Sequence, residues 1–320
     1  MSQNQSAANQ DDPMTREHYV SQFHLRYFTG DDGLLDCYDK VNGTLLRLHP
    51  TDVAVAQGFF RIVLPDSSRR SLEGVFQDLE NYWAPAVAAV VRPQPRDTGI
   101  VLPPQQLTLI EHSPTLVNFV AVQLLRPRFL RELIRADPQA APILGTGDLP
   151  ENTLRLLHAF VVAQGARDLP ARLVDLAWYL VPNYSSTPFW ASDNPVVMYS
   201  RDIQHATVAP IEELLQSPGI RLHLPLTPEL ALAIYDPDNP PFDPAQGIAN
   251  EQWVWGANRM VLKASLRQVY APRSDFNVAR KMIANDPSIR TPAFEHSEWA
   301  GQGKAETENI PTERDADADA

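Results

Sequence analysis

Cysteine occurs once in 320 residues, at Cys37, so no disulfide can close within the chain and no cysteine-based zinc site can be assembled from it. A reducing compartment fits that usage. Lysine is also scarce, standing only at 40, 263, 281 and 304, and the arginine-rich remainder fits GC-rich coding better than phosphate recognition. No apolar run reaches the roughly 18 residues that a membrane helix needs, and MSQNQSAANQDDP has neither the basic nor the apolar region of a secretory leader. A cytoplasmic protein with no membrane partner is expected. There is also no basic excess. The formal net charge is −12, of which residues 295–320 hold −6, as eight acids against Lys304 and Arg314, and the body 15–294 only −4. An extended nucleic-acid surface is therefore disfavoured, while one bound nucleotide or a short single strand stays open. GxxxxGK[ST], GxGxxG after a strand, HExxH and GxSxG are all missing, which removes the usual marks of phosphate-binding loops, zincins and hydrolase elbows.

What is present suffices for a sizeable core: 44% of the chain is hydrophobic and 21% charged, so one domain is the expectation over residues 15–294. The first 14 residues and 295–320, ending DADADA, cannot bury enough apolar surface to offset chain entropy and are expected to be disordered. Val20, Phe23, His24, Tyr27 and Phe28 fall at helical spacing, predicting a short helix over 18–28. LLDCYDK and GTLLRLH flank Val41-Asn42-Gly43, a hairpin signal. Helices are expected over 71–91 with a kink or break at Pro85, over 105–135 with interruptions at Pro114 and Pro127, and over 151–166 and 170–181. The four prolines of 92–104 mark a possible lobe boundary. TPFWA and PVVMYS around Ser192-Asp193-Asn194-Pro195, and IRLHLPL and ELALAIYD around Thr227-Pro228, read as two further hairpins. A helix, the strand QVYAP and a last helix capped by Ser274 or Asp275 close the body. The predicted fold class is α+β, with hairpins from both ends of the chain forming one mixed or antiparallel sheet under a central helical block.

HYVSQFHLRYF (18–28), LLDCYDKVNGTL (34–45), FWASDNPVV (189–197), LHLPLTPELALAIY (222–235) and LRQVYAP (266–272), in that order, resemble the bacterial "domain of unknown function 4238" family. The likeness covers about residues 16–285. It implies a cytoplasmic bacterial protein built as one unit, and carries no established activity with it. Ser21 stands where the family usually has proline, and Ala191 where it usually has threonine.

Two sets of polar residues are candidates for chemistry. His18, Gln22 and Arg26, at i, i+4 and i+8, would form a polar stripe on a helix, with His18 as general base and Arg26 as a carboxylate or phosphate clamp. Asp193 and Asn194 at a strand-end turn could bind Mg²⁺ or position water, with Asp236, Asp238 and Asn239 as possible companions and Arg259 facing the same cleft. The resulting expectation is a hydrolase of a phosphate-containing (nucleotide or nucleic-acid) substrate: His18 and Asp193 catalytic, Gln22, Arg26, Asn194 and Arg259 binding substrate, the metal and any further partner undefined. Against it stands a non-catalytic partner-binding or regulatory module in which the same motifs meet in the core and satisfy one another's hydrogen bonds. A turn such as Asp193-Asn194-Pro195 needs no function to explain it. The histidines at 49, 112, 158, 205, 223 and 296 are expected to be scattered core or surface residues, and Trp253 and Trp255 to be packing.

Overall fold

The computed structural model of the chain describes residues 16–91, 105–106, 109–136, 149–199, 211–239, 251–274 and 276–291. Both tails, the stretch 92–104, Asp275, His205, His296 and the side chain of His112 lie outside them.

The chain enters as a strand, not as the predicted helix. Arg16–His18 (β1) pairs antiparallel with Val55–Gln57 (β4), His18 opposite Val55, and helical backbone begins only at Gln22–Leu25 (α1), continued by a 3-10 turn Arg26–Phe28. Tyr19 extends the pairing, its N–H donating to the Ala54 carbonyl. The hairpin signalled by Asn42-Gly43 forms: Leu35–Asp39 (β2) and Thr44–Leu48 (β3) pair from Leu35↔Leu48 to Asp39↔Thr44. Gly43 closes the turn at φ +70, a conformation that side chains disfavour. A second hairpin, Arg61–Val63 (β5) with Arg69–Ser71 (β6), carries no such local signal.

The helical block follows. Glu73–Val90 (α2) runs through Pro85, and Leu109–Leu125 (α3) through Pro114, so the first two prolines break neither helix. Pro127 does separate α3 from Arg128–Ala136 (α4). The two helices expected over 151–181 are instead one helix and one strand. Glu151–Leu173 (α5) passes Gly165 and Pro170, and Ala177–Pro182 (β8) is a central strand. Gly165 is required by packing: a Cβ there would stand 2.2 Å from Leu125 Cδ1, so its absence lets α5 lie close on α3.

In the last third, Arg221–Thr227 (β11) and Leu230–Tyr235 (β12) make the expected hairpin. The SDNP hairpin does not form. Ala191–Ser192 (β9) pairs with Gln268–Ala271 (β13), whereas Val197–Tyr199 (β10) pairs with β11, so the turn sends its two flanks into different sheets. With Gln105–Gln106 (β7), the larger sheet has the order β10-β11-β12-β8-β7 and the smaller β3-β2-β13-β9; among the described residues every pairing in them is antiparallel. The hairpin from the N-terminal part thus shares a sheet with the C-terminal strand, as expected, but the strands divide among two main sheets and two small ribbons, β1-β4 and β5-β6. The remaining helices are Ile211–Leu214 (α6), Glu251–Ala264 (α7) and Asn277–Asn285 (α8). The α8 N-cap is Phe276, at φ +53 with no side-chain cap, and Ser274 Oγ accepts from the Phe276 N–H instead of capping the helix.

The fold is α+β. Leu222, Leu224, Leu226, Leu180, Leu230 and Leu232 face the core shared with α2, α3 and α5; Tyr179, Val181, Ala231, Ala233 and Tyr235 face Val254 and Ala257 of α7. Burial on both faces explains why these strands read as nearly continuous apolar runs.

Candidate functional site

The N-terminal polar set forms, on a strand-to-helix junction. His18 ends β1 and is buried. Its Nε2 lies 3.1 Å from the Thr51 carbonyl, which can only accept, so Nε2 carries the proton and Nδ1 accepts from Gln22 Nε2 at 2.9 Å. Burial, with Arg126 nearby, lowers the His18 pKa, keeping the ring neutral at pH 7. Arg26, at the exposed end, reaches Gln22 Oε1 at 3.5 Å. Beneath lies Arg126, 1% exposed, donating to the His18 carbonyl (2.5 Å), Ser21 Oγ (3.1 Å) and Glu80 Oε1 (2.6 Å), its guanidinium 4.4 Å from the centre of the Phe76 ring. Gln123 Nε2 also donates to Ser21 Oγ, at 2.7 Å. Glu73 borders the cluster: it accepts from the His18 backbone, burial raises its pKa, and its Oε2 is buried without a partner.

The second set converges elsewhere, on the segment joining α7 to β13. Asp193 is buried and its carboxylate is filled by backbone: Oδ1 accepts from Leu266 N (2.8 Å), Oδ2 from Arg267 N (2.8 Å) and Gln268 N (2.9 Å). Asn194 Nδ2 donates to the Ala264 carbonyl at 3.1 Å, and Ser192 Oγ closes the turn by donating to the Asn194 carbonyl and accepting from its N–H. The YDK strand supplies the rest. Lys40, wholly buried, donates to the carbonyls of Leu262 (3.0 Å), Lys263 (3.3 Å) and Ser265 (2.6 Å), satisfying the C-terminal end of α7. Asp39 accepts from Val41 N, Asn42 N and Arg267 Nε. Burial pushes Asp193 up to about 6, against the pull of those three N–H groups and Lys40, and pushes Lys40 down to about 8. One carboxylate and one ammonium thus hold the free amides and carbonyls of a single loop.

No hydrogen bond or ion pair among the described residues joins His18, Gln22 or Arg26 to Asp193 or Asn194. A different contact spans the chain at the first motif: His24 Nε2 donates to the Pro225 carbonyl at 2.7 Å, tying HYVSQFH to LPLTP.

The family model for a protein of unknown function, DUF4238, matches residues 16–275. The chain belongs to this family. Nothing among the curated proteins or the solved structures matches it. The matched segment of this DUF4238 protein runs from β1 through β13 and ends before α8, so it contains both polar sets and both main sheets. Of the two expected departures, Ser21 has φ −60, which proline can adopt, and its hydroxyl takes up two buried donors, Gln123 and Arg126. Ala191 is buried on β9, opposite Tyr270.

The other expected site residues have partners of their own. Arg259 pairs with Asp286 at 3.1 Å. Asp236 holds its own loop, accepting from Gly219 N, Asp238 N and Asn239 Nδ2. No group of three or more His, Cys, Asp or Glu suited to a metal ion occurs among the described residues. His158 and His223 are buried, and Trp253 packs edge-on to Phe189 and His223 while Trp255 donates to Glu251. Among the described residues no helix is long and apolar enough to cross a membrane, and Cys37 is buried. Sequence reasoning missed Arg126, Gln123, Glu73 and Glu80. A signal existed: Gln123 and Arg126 are polar residues ending an otherwise apolar run, FVAVQLLR.

Proposed function

We propose that this DUF4238 protein is a non-catalytic partner-binding or regulatory module in which the signature motifs build the scaffold. One observation carries the reading: the Asp193 carboxylate, the group that would hold Mg²⁺ or water, already accepts three backbone N–H groups. Removing it would orphan those amides and leave Lys40 without its counter-charge, which is the behaviour of a structural residue. The His18 ring is engaged at both nitrogens in the same way. The test is thermal unfolding of wild type, His18→Ala and Asp193→Ala with and without Mg²⁺, Mn²⁺ and a nucleotide panel. Both variants should melt well below wild type, and none of these ligands should raise the wild-type melting temperature. A ligand-dependent rise that both variants lose while folding normally would overturn the proposal.

A second reading keeps the hydrolase of a phosphate-containing substrate, on the His18 side alone. It is favoured by Glu73, whose buried unpartnered Oε2 and raised proton affinity sit beside a neutral histidine. In that reading His18 Nδ1 accepts the proton of water once Gln22 swings away, Glu73 supplies one to the leaving group, and Arg26 meets the phosphate. Under it, Glu73→Gln and His18→Asn would keep the fold and lose hydrolysis of a phosphodiester or nucleotide. Retention of any such activity by both variants would sink it.

A further inference from the structure

The strand β3 is the outer member of the four-stranded sheet. An outer strand offers a row of unpaired N–H and C=O groups, and proteins commonly guard it with lysine, proline, a bulge or a covering segment. Among the described residues β3 has no lysine, proline, bulge or covering strand of this kind. Thr44–Leu48 pairs with β2 in unbroken register and makes no backbone hydrogen bond to any other described residue. Leu45 is 39% exposed and Leu46 47%, and successive residues of a strand point to opposite faces, so each face of the edge carries an exposed leucine; Val41, at the turn, is 42% exposed. The one charge on the strand, Arg47, is turned back towards its own sheet and paired with Asp32 and Asp36.

We propose that β3 pairs antiparallel with β3 of a second copy of this chain, joining two four-stranded sheets across a two-fold axis. Charge and register select that occupant. Centred on Leu46, the pairing sets Leu46 against Leu46, Thr44 against Leu48 and Arg47 against Leu45, so no like charges oppose. Centred on Arg47 it would set two guanidinium groups against each other. The two-fold form is self-complementary and closed, so it stops at a dimer and leaves no free edge on β3 to propagate. The inference is independent of the function proposed above.

Sedimentation velocity of the full chain over a range of concentrations tests it. Wild type should reach twice 35.8 kDa, and Leu46→Lys should return it to 35.8 kDa while still unfolding in one cooperative transition. Under mild oxidation Leu46→Cys should form a reductant-sensitive covalent dimer, while Leu48→Cys, placed opposite Thr44, should not; Cys37 is buried and does not compete. A wild type that stays monomeric at every concentration, or a dimer that survives Leu46→Lys, would overturn the proposal. Equal cross-linking by the two cysteine variants would do the same.

Discussion

His24, His158 and His223 are held neutral inside the fold. Burial lowers them to about 4, about 3 and about 4, with the Arg131 charge adding to the effect at His158. Their value in the unfolded chain is near 6.5, so between about 4 and 6.5 the unfolded chain binds more protons than the folded one. Their contribution is therefore complete above the unfolded pKa and lost as pH falls through that window, each on the order of 3 kcal/mol. Asp193 acts the other way. Raised to about 6 by burial, it makes the folded chain the better proton binder between about 4 and 6, so its own term improves on acidification. Three histidines outweigh one carboxylate. Urea unfolding should show stability falling from pH 7 to pH 5, and His223→Phe, which keeps the ring contacts with Phe189 and Trp253, should flatten that fall. A pH-independent unfolding free energy over this range would mean that these rings are not buried as neutral groups.

Helix α5 shows how packing overrides local rules at the scale of an element. Gly165 and Pro170 both advise a stop, yet the helix runs on to Leu173. Close approach to α3 gives the glycine its reason. Gly165→Ala gains about 1 kcal/mol of helix propensity but forces Leu125 to move within a filled core, at about 1–3 kcal/mol. A net loss of stability is expected in equilibrium unfolding, and in a Leu125→Ala background the same change should become neutral or stabilising. Additive effects of the two substitutions would contradict direct packing between them. The hairpins β2–β3 and β11–β12 were legible because their turns are chosen by residues within a few positions, Asn42-Gly43 and Thr227-Pro228. Strand β8 was not. AWYLVP follows a helix without punctuation, and a six-residue apolar run fits a buried strand and a buried helix equally. The turn at 192–195 was recognisable, but the parting of its flanks depends on Asp193 bonding to residues more than seventy positions away.

Over the whole molecule, the segments that carry the family resemblance join distant parts of the chain. HYVSQFH meets LPLTP through His24 and Pro225, and meets the end of α3 through Ser21 and Arg126. YDK and SDNPV meet at the segment 262–268, where Lys40 binds three carbonyls and Asp193 three amides. The contact of His18 with Gln22 joins residues four apart across a strand-to-helix junction and not along one helix, whereas Arg126, more than a hundred residues away, reaches the same point only in the fold. Motifs that knit ends together are expected to fail by unfolding, not by loss of a reaction. The most direct measurement is the equilibrium unfolding free energy of Asp193→Asn, a change that keeps the shape but replaces one accepting oxygen with a donor. A loss of about 1–3 kcal/mol is predicted, the cost of leaving buried groups unpaired. Wild-type stability in this variant would contradict the account and return Asp193 to the list of residues kept for chemistry.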